Sequence, residues 1–178
     1  VCGHPRGGAN PVVEGGGGRR LPGAWRAMPS EENSASKNWE RYVGILVGQG
    51  RTIFGAAVLP IAPDQPTLRK SAILAQKGIS MRVPEVTALV EAVMAGRVHQ
   101  DYVQAAGHQY LITTVNESSF YGRCTSTATA AGIILLKMGP FLVLAVYTEP
   151  TCATEAIPYV HRSVDDLAAA MSMQPPGV

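Results

Sequence analysis

Two uninterrupted apolar runs, Ile133-Ile134-Leu135-Leu136 and Phe141-Leu142-Val143-Leu144-Ala145-Val146, are joined only by Lys137-Met138-Gly139-Pro140. A link this short cannot carry the crossover that parallel strands require, so the runs pair as an antiparallel hairpin. An antiparallel strand with one wet face alternates apolar and polar residues. These do not alternate, so both faces of the hairpin must be covered. The chain therefore needs helices on two sides of a sheet, an α+β layered fold.

The rest of the sequence supplies those covers. After Ser36, read as an N-cap, apolar residues recur at Trp39, Tyr42, Val43 and Leu46, the spacing of one helix face, and Gly48 and Gly50 end it. Pro84 suits a first helical turn, and Val86, Leu89, Val90, Val93 and Met94 make a second stripe that Gly96 terminates. Val160, Val164, Leu167, Ala168 and Met171 predict a third helix before the breaker QPPGV. Strands are expected over 52–59 and 71–76, separated by IAPDQP, where Pro63 and Pro66 forbid a continuous ladder. Four more are expected over 108–115, 118–124, 131–137 and 140–147, with Asn116-Glu117 as a further hairpin link. The expected architecture is an antiparallel sheet with the N- and C-terminal helices on one face and the middle helix on the other.

Composition divides the 178 residues unevenly. Of 19 Gly and 13 Pro, eight Gly and three Pro fall within residues 1–27, a segment without hydrophobic periodicity. Residues 1–37 are read as a flexible Gly/Arg-rich tail with Met28 a candidate true start, 38–172 as the domain, and 173–178 as a short C-terminal tail. Arg6, Arg19, Arg20 and Arg26 against Glu14 make residues 1–27 carry +3, leaving −1 on the remainder for the net +2. A domain so nearly neutral lacks the clustered cations that nucleic acid or an anionic membrane would demand. No apolar run approaches the roughly 20 residues of a membrane span. Cys2, Cys124 and Cys152 form neither a disulfide framework nor a thiolate metal set, which fits a reducing cytoplasm.

Catalytic patterns are missing. His4, His99, His108 and His161 give no HExxH, and His99 with Asp101 is an ordinary loop pair. Gly15–Gly18 runs into Arg19-Arg20 rather than Gly-Lys, and Gly48-Gln49-Gly50 lacks the third glycine of a dinucleotide loop. Cys124 and Cys152 have no identifiable base. The chain reads as a binding protein, not an enzyme, with no cofactor and no metal site. The Ser/Thr cluster from Thr125 to Thr129 reads as a loop tip able to accept phosphate.

From about Asn38 to Ala170 the sequence resembles profilins. The matching pieces are NWERYVGIL, the AAV strand, SAILAQ, PEVTALVEAV, GHQYLITT, FYGR, AAGIILLKMGPFLVLAVYTEP and VHRSVDDL, in the family's order and with similar spacing. The resemblance implies a small cytoplasmic cytoskeletal protein that binds monomeric actin on one side and proline-rich segments on the other. A polyproline II ligand is held by flat rings that stack at little entropic cost and by polar edges that reach its free carbonyls. Trp39 and Tyr42 match the family's N-terminal aromatic pair, while its second Trp falls on Leu74 and its C-terminal Tyr on Asp166. With roughly 1–3 kcal/mol at stake per anchor, a weakened polyproline site is expected.

For actin, the resemblance points to Gln109, Ile112, Thr114, Arg123, Thr154, Ile157 and Tyr159, with Lys137 matching a recurrent lysine. Ile157-Pro158 replaces an Asn and a following helical residue, and Pro158 is expected to delay or tighten the helical start. An alternative expectation is a profilin-fold subunit of a larger cytoskeletal assembly, such as an axonemal one in a cilium, docked through the N-terminal tail. Phosphoinositide contact, also known in the family, has only Arg41, Arg69, Lys70, Lys77 and Arg82 as candidates.

Overall fold

The computed structural model describes residues 31–61, 72–127 and 131–172. Among the described residues three helices, α1 (Glu31–Val47), α2 (Val83–Met94) and α3 (Ala153–Ser172), accompany seven strands: β1 (Gly55–Pro60), β2 (Ala75–Lys77), β3 (Val103–Ala105), β4 (His108–Val115), β5 (Ser119–Cys124), β6 (Gly132–Met138) and β7 (Phe141–Tyr147). They form one sheet in the order β2-β1-β7-β6-β5-β4-β3, and every neighbouring pair is antiparallel. The expected apolar hairpin is β6–β7, paired Gly132 to Tyr147 through Met138 to Phe141 near the centre of the sheet.

Its apolar runs are divided residue by residue between two cores. Ile133, Leu135, Leu142, Leu144 and Val146 join Val86, Leu89 and Val93 of α2. Ile134, Leu136, Val143, Ala145 and Tyr147 join Tyr42, Val43, Leu46 and Val47 of α1 and Ala156, Val160 and Val164 of α3. Period-two alternation still operates, but apolar residues occupy both phases because helices cover both faces. The expected placement of α1 and α3 on one face and α2 on the other is what the structure shows.

Several boundaries differ from expectation. α1 starts at Glu31, so Ser36 lies inside the helix and not at its cap. α3 starts at Ala153, with Pro158 inside it. Pro158 therefore does not set the start, and its missing N–H instead leaves the second turn without one backbone bond. β3 is not among the expected strands. It joins β4 through Ala106-Gly107, both with positive φ (52° and 77°), a two-residue turn of the kind that matches strand twist. Glu85 fixes this turn to α2, its carboxylate accepting from the N–H of Arg82 and of Gly107, each at 2.9 Å.

The expectations for residues 1–30, for Pro63, Pro66, Arg69 and Lys70, for Thr129 at the far end of the Ser/Thr cluster, and for 173–178 lie outside the described residues. Among those described, no helix is long and apolar enough to cross a membrane.

Candidate functional site

Strand alternation decides which expected residues share a surface. Ile112 and Phe120 belong to the α2-side core, whereas Tyr121 packs on the α1/α3 side. Arg123, two residues beyond Tyr121, shares its face, and so do Thr114, paired directly with Tyr121, and Gln109, one residue before the inward Tyr110. A bulge between Ile112 and Thr114 keeps Thr114 in this phase. Arg123 and Thr114 are exposed, and Gln109 is half-buried.

α3 borders this face. Tyr121 and His161 meet through Oη and Nε2 at 2.7 Å, pinning the helix flank to β5. Ile157 and Thr154, four and seven residues before His161, lie on the same flank by helical spacing; Ile157 is half-buried and Thr154 exposed. Gln109, Thr114, Arg123, Thr154 and Ile157 thus border one continuous surface. Ile112 does not: at 4% exposure inside the α2-side core it has nothing to offer a partner. Tyr159 also leaves the group, because its hydroxyl donates to the Leu46 carbonyl at 3.1 Å and turns it toward α1. Lys137 lies over the Phe120 ring, 5.2 Å from its centroid, a contact on the opposite sheet face. Tyr121 and His161 are the residues that sequence reasoning missed; both lie in quoted motifs, FYGR and VHRSVDDL, but periodicity does not reveal a bond across 40 positions.

The second surface surrounds α1. Trp39 packs on Phe141 with centroids 4.5 Å apart and meets Tyr42 edge-on at 6.4 Å. Leu74, Met138 and Phe141 are half-buried beside Trp39 in the same cluster. Phe141, to sequence reasoning only a strand residue, supplies a ring next to Trp39 where Leu74 cannot. On the α3 side of α1, a groove of about 290 Å³ is lined by Asn38, Arg41, Tyr42, Ile45, Asp166 and Leu167 among others.

Tyr42 is the unusual member. It is 8% exposed, and its hydroxyl is buried with no hydrogen-bond partner among the described residues. Burial above all, then the charges of Tyr159 and Asp166, raises its pKa above the ordinary tyrosine value, so it remains a proton donor at neutral pH. A buried donor without an acceptor is costly to keep. Of the phosphoinositide candidates among the described residues, Arg41 lines this groove, Lys77 donates to the Gly44 carbonyl at 3.4 Å, and Arg82 sits at the start of α2. Among the described residues no cluster of three or more His, Cys, Asp or Glu is placed to hold a metal ion.

A seven-stranded antiparallel sheet between a pair of terminal helices and a single opposite helix defines an α+β fold class. The profilin family model matches residues 37–171, and the chain belongs to the profilin family. Among solved structures it is similar to Acanthamoeba castellanii profilin IB, at 24% identity and a TM-score of 0.61, covering 75% of this chain and 98% of that one. LokiProfilin1 in complex with rabbit actin matches at 12% identity and 0.57, covering 75% and 96%. Mouse profilin IIa in complex with a double repeat from the FH1 domain of mDia1 matches at 13% and 0.53, covering 75% and 98%. No curated protein matches the chain.

Proposed function

We propose that this protein binds monomeric actin through the β4–β5 face and the adjoining flank of α3, and thereby regulates actin polymerisation in the cytoplasm. What supports the reading is the shared face of Gln109, Thr114 and exposed Arg123 on β4 and β5, tied by the Tyr121–His161 bond to the α3 flank on which helical spacing sets Thr154 and Ile157. The solved actin complex of a similar fold supports the same partner class.

The α1 surface is read as a proline-rich binding site of reduced strength. Trp39, Phe141 and Tyr42 retain rings and one free donor, while Leu74 and Asp166 stand where a ring would add stacking area. The test is calorimetry of the full chain with monomeric actin and, separately, with a ten-residue polyproline peptide. Arg123→Glu is expected to weaken actin at least tenfold and leave the peptide unchanged, and Trp39→Ala to do the reverse. A folded protein that binds neither ligand refutes this reading and returns the assembly-subunit alternative, docked through residues 1–37 in an axonemal or other cytoskeletal complex.

A further inference from the structure

The α2-side face holds a cavity that neither surface above uses. The loop after β2, the β3–β4 turn and the ends of β1, β5, β6 and β7 surround about 400 Å³, within the range of sites for small organic molecules. Phe54, Ile79, Ala131 and Val146 give it apolar walls, and Phe54 stands 50% exposed at the rim.

Ser80, His108, Thr127 and Thr148 add polar groups to the lining, and one cross-strand pair stands among them. Tyr110 and Cys124 are partners across β4 and β5, and both line the cavity. Tyr110 is 1% exposed, and its hydroxyl has no hydrogen-bond partner among the described residues. Burial, and then the nearby Cys124, pushes its pKa up to about 12, so it is a protonated donor with nothing yet to donate to. The Cys124 sulfur has the hydroxyls of Ser126 and Thr127 at 3.4 Å each, and His108 Nδ1 lies 3.4 Å from that of Ser126. Burial disfavours the thiolate, but the hydrogen bonds from Ser126 and Thr127 outweigh it and lower the pKa below the ordinary thiol value.

An apolar wall, a free hydroxyl donor and an activated sulfur are complementary to one ligand chemistry. We propose that this cavity binds small apolar molecules carrying an α,β-unsaturated carbonyl group and that Cys124 captures them covalently. The hydrocarbon part lies against Phe54, Ile79 and Val146, and the carbonyl oxygen accepts from Tyr110. The Sγ electron pair forms a bond to the β-carbon while the C=C π pair moves onto the α-carbon and carbonyl oxygen, where the Tyr110 hydroxyl stabilises the enolate. The α-carbon then takes a proton, replacing the one the thiol gave up. Nothing leaves and no oxidant is consumed, so the adduct weighs the sum of protein and ligand. The inference stands apart from actin and proline-rich binding, which use the other sheet face.

Cys152 provides an internal control, being exposed at the α3 N-terminus and absent from the cavity lining. The full chain is treated with propenal, trans-2-hexenal and trans-2-nonenal, and adduct formation at each cysteine is followed by peptide mass spectrometry. The Cys124 to Cys152 rate ratio is expected to rise at least roughly tenfold from the shortest to the longest aldehyde, since each buried methylene adds affinity. Saturated nonanal should slow Cys124 and spare Cys152. Tyr110→Phe should slow capture of nonenal at Cys124 several-fold while its rate with iodoacetamide, which needs no carbonyl donor, is preserved. A ratio that stays flat along the series, or a Cys124 rate that nonanal does not touch, overturns the proposal. An unchanged Tyr110→Phe rate removes Tyr110 from the carbonyl site.

Discussion

At the scale of single residues, the fold depends on a few positions where one atom decides. Gly78 has φ of 76°, and a Cβ there would meet the Phe54 carbonyl and come within 2.9 Å of the Gly55 Cα. Left-handed strain and backbone overlap act together, so Gly78→Ala should lower stability by about 2–4 kcal/mol in urea denaturation. Ala106 is the opposite case, a residue with a Cβ held at positive φ, with Gly beside it. Ala106→Gly should stabilise by about 0.5–1 kcal/mol, because relief of αL strain exceeds the added unfolded-state entropy; a lower denaturation midpoint would contradict the turn assignment. Tyr42→Phe removes a buried hydroxyl that has no partner among the described residues. The variant should be as stable as the parent or more so by about 1 kcal/mol, yet bind polyproline peptide more weakly. Stability and peptide affinity moving in the same direction would show that the hydroxyl serves the fold rather than a ligand.

At the scale of elements, legibility in the sequence depends on whether the signal is local. The stripes of α1, α2 and α3 and the apolar phases of β6 and β7 are readable because periodicity and burial act within one segment. β3 is not, since three residues, Val103 to Ala105, carry too little alternation and Ala-Gly lacks the Asn-Gly or Asp-Gly signature of such a turn. The candidate surfaces are half legible for a related reason. Arg123, Thr114 and Gln109 can be placed from motif resemblance, but the inward phase of Ile112, the turn of Tyr159 toward Leu46, the Tyr121–His161 bond and the stacking of Phe141 on Trp39 exist only once elements pack. The α1–α3 seam gives a direct check: Tyr159→Phe removes the bond to the Leu46 carbonyl and should cost about 0.5–1.5 kcal/mol without altering actin affinity.

At the scale of the whole molecule, two opposed cores leave the sheet with separable surfaces, and pH links the buried tyrosines to stability. Tyr42, Tyr110 and Tyr147 all have pKa values raised chiefly by burial, that of Tyr110 to about 12. A group that binds its proton more tightly when folded contributes stability in full below the unfolded tyrosine value near 10, and loses it as pH rises through the folded value. Unfolding free energy should therefore decline from about pH 10 toward pH 12, less steeply in Tyr110→Phe. The proposed actin site is the face bounded by β4, β5 and α3. Its most direct test is titration of monomeric actin with the full chain and with Arg123→Glu, both verified as folded. The parent is expected to bind with a Kd on the order of micromolar and the variant at least tenfold more weakly. Equal affinities, or a folded parent that does not bind at all, would contradict the proposed site.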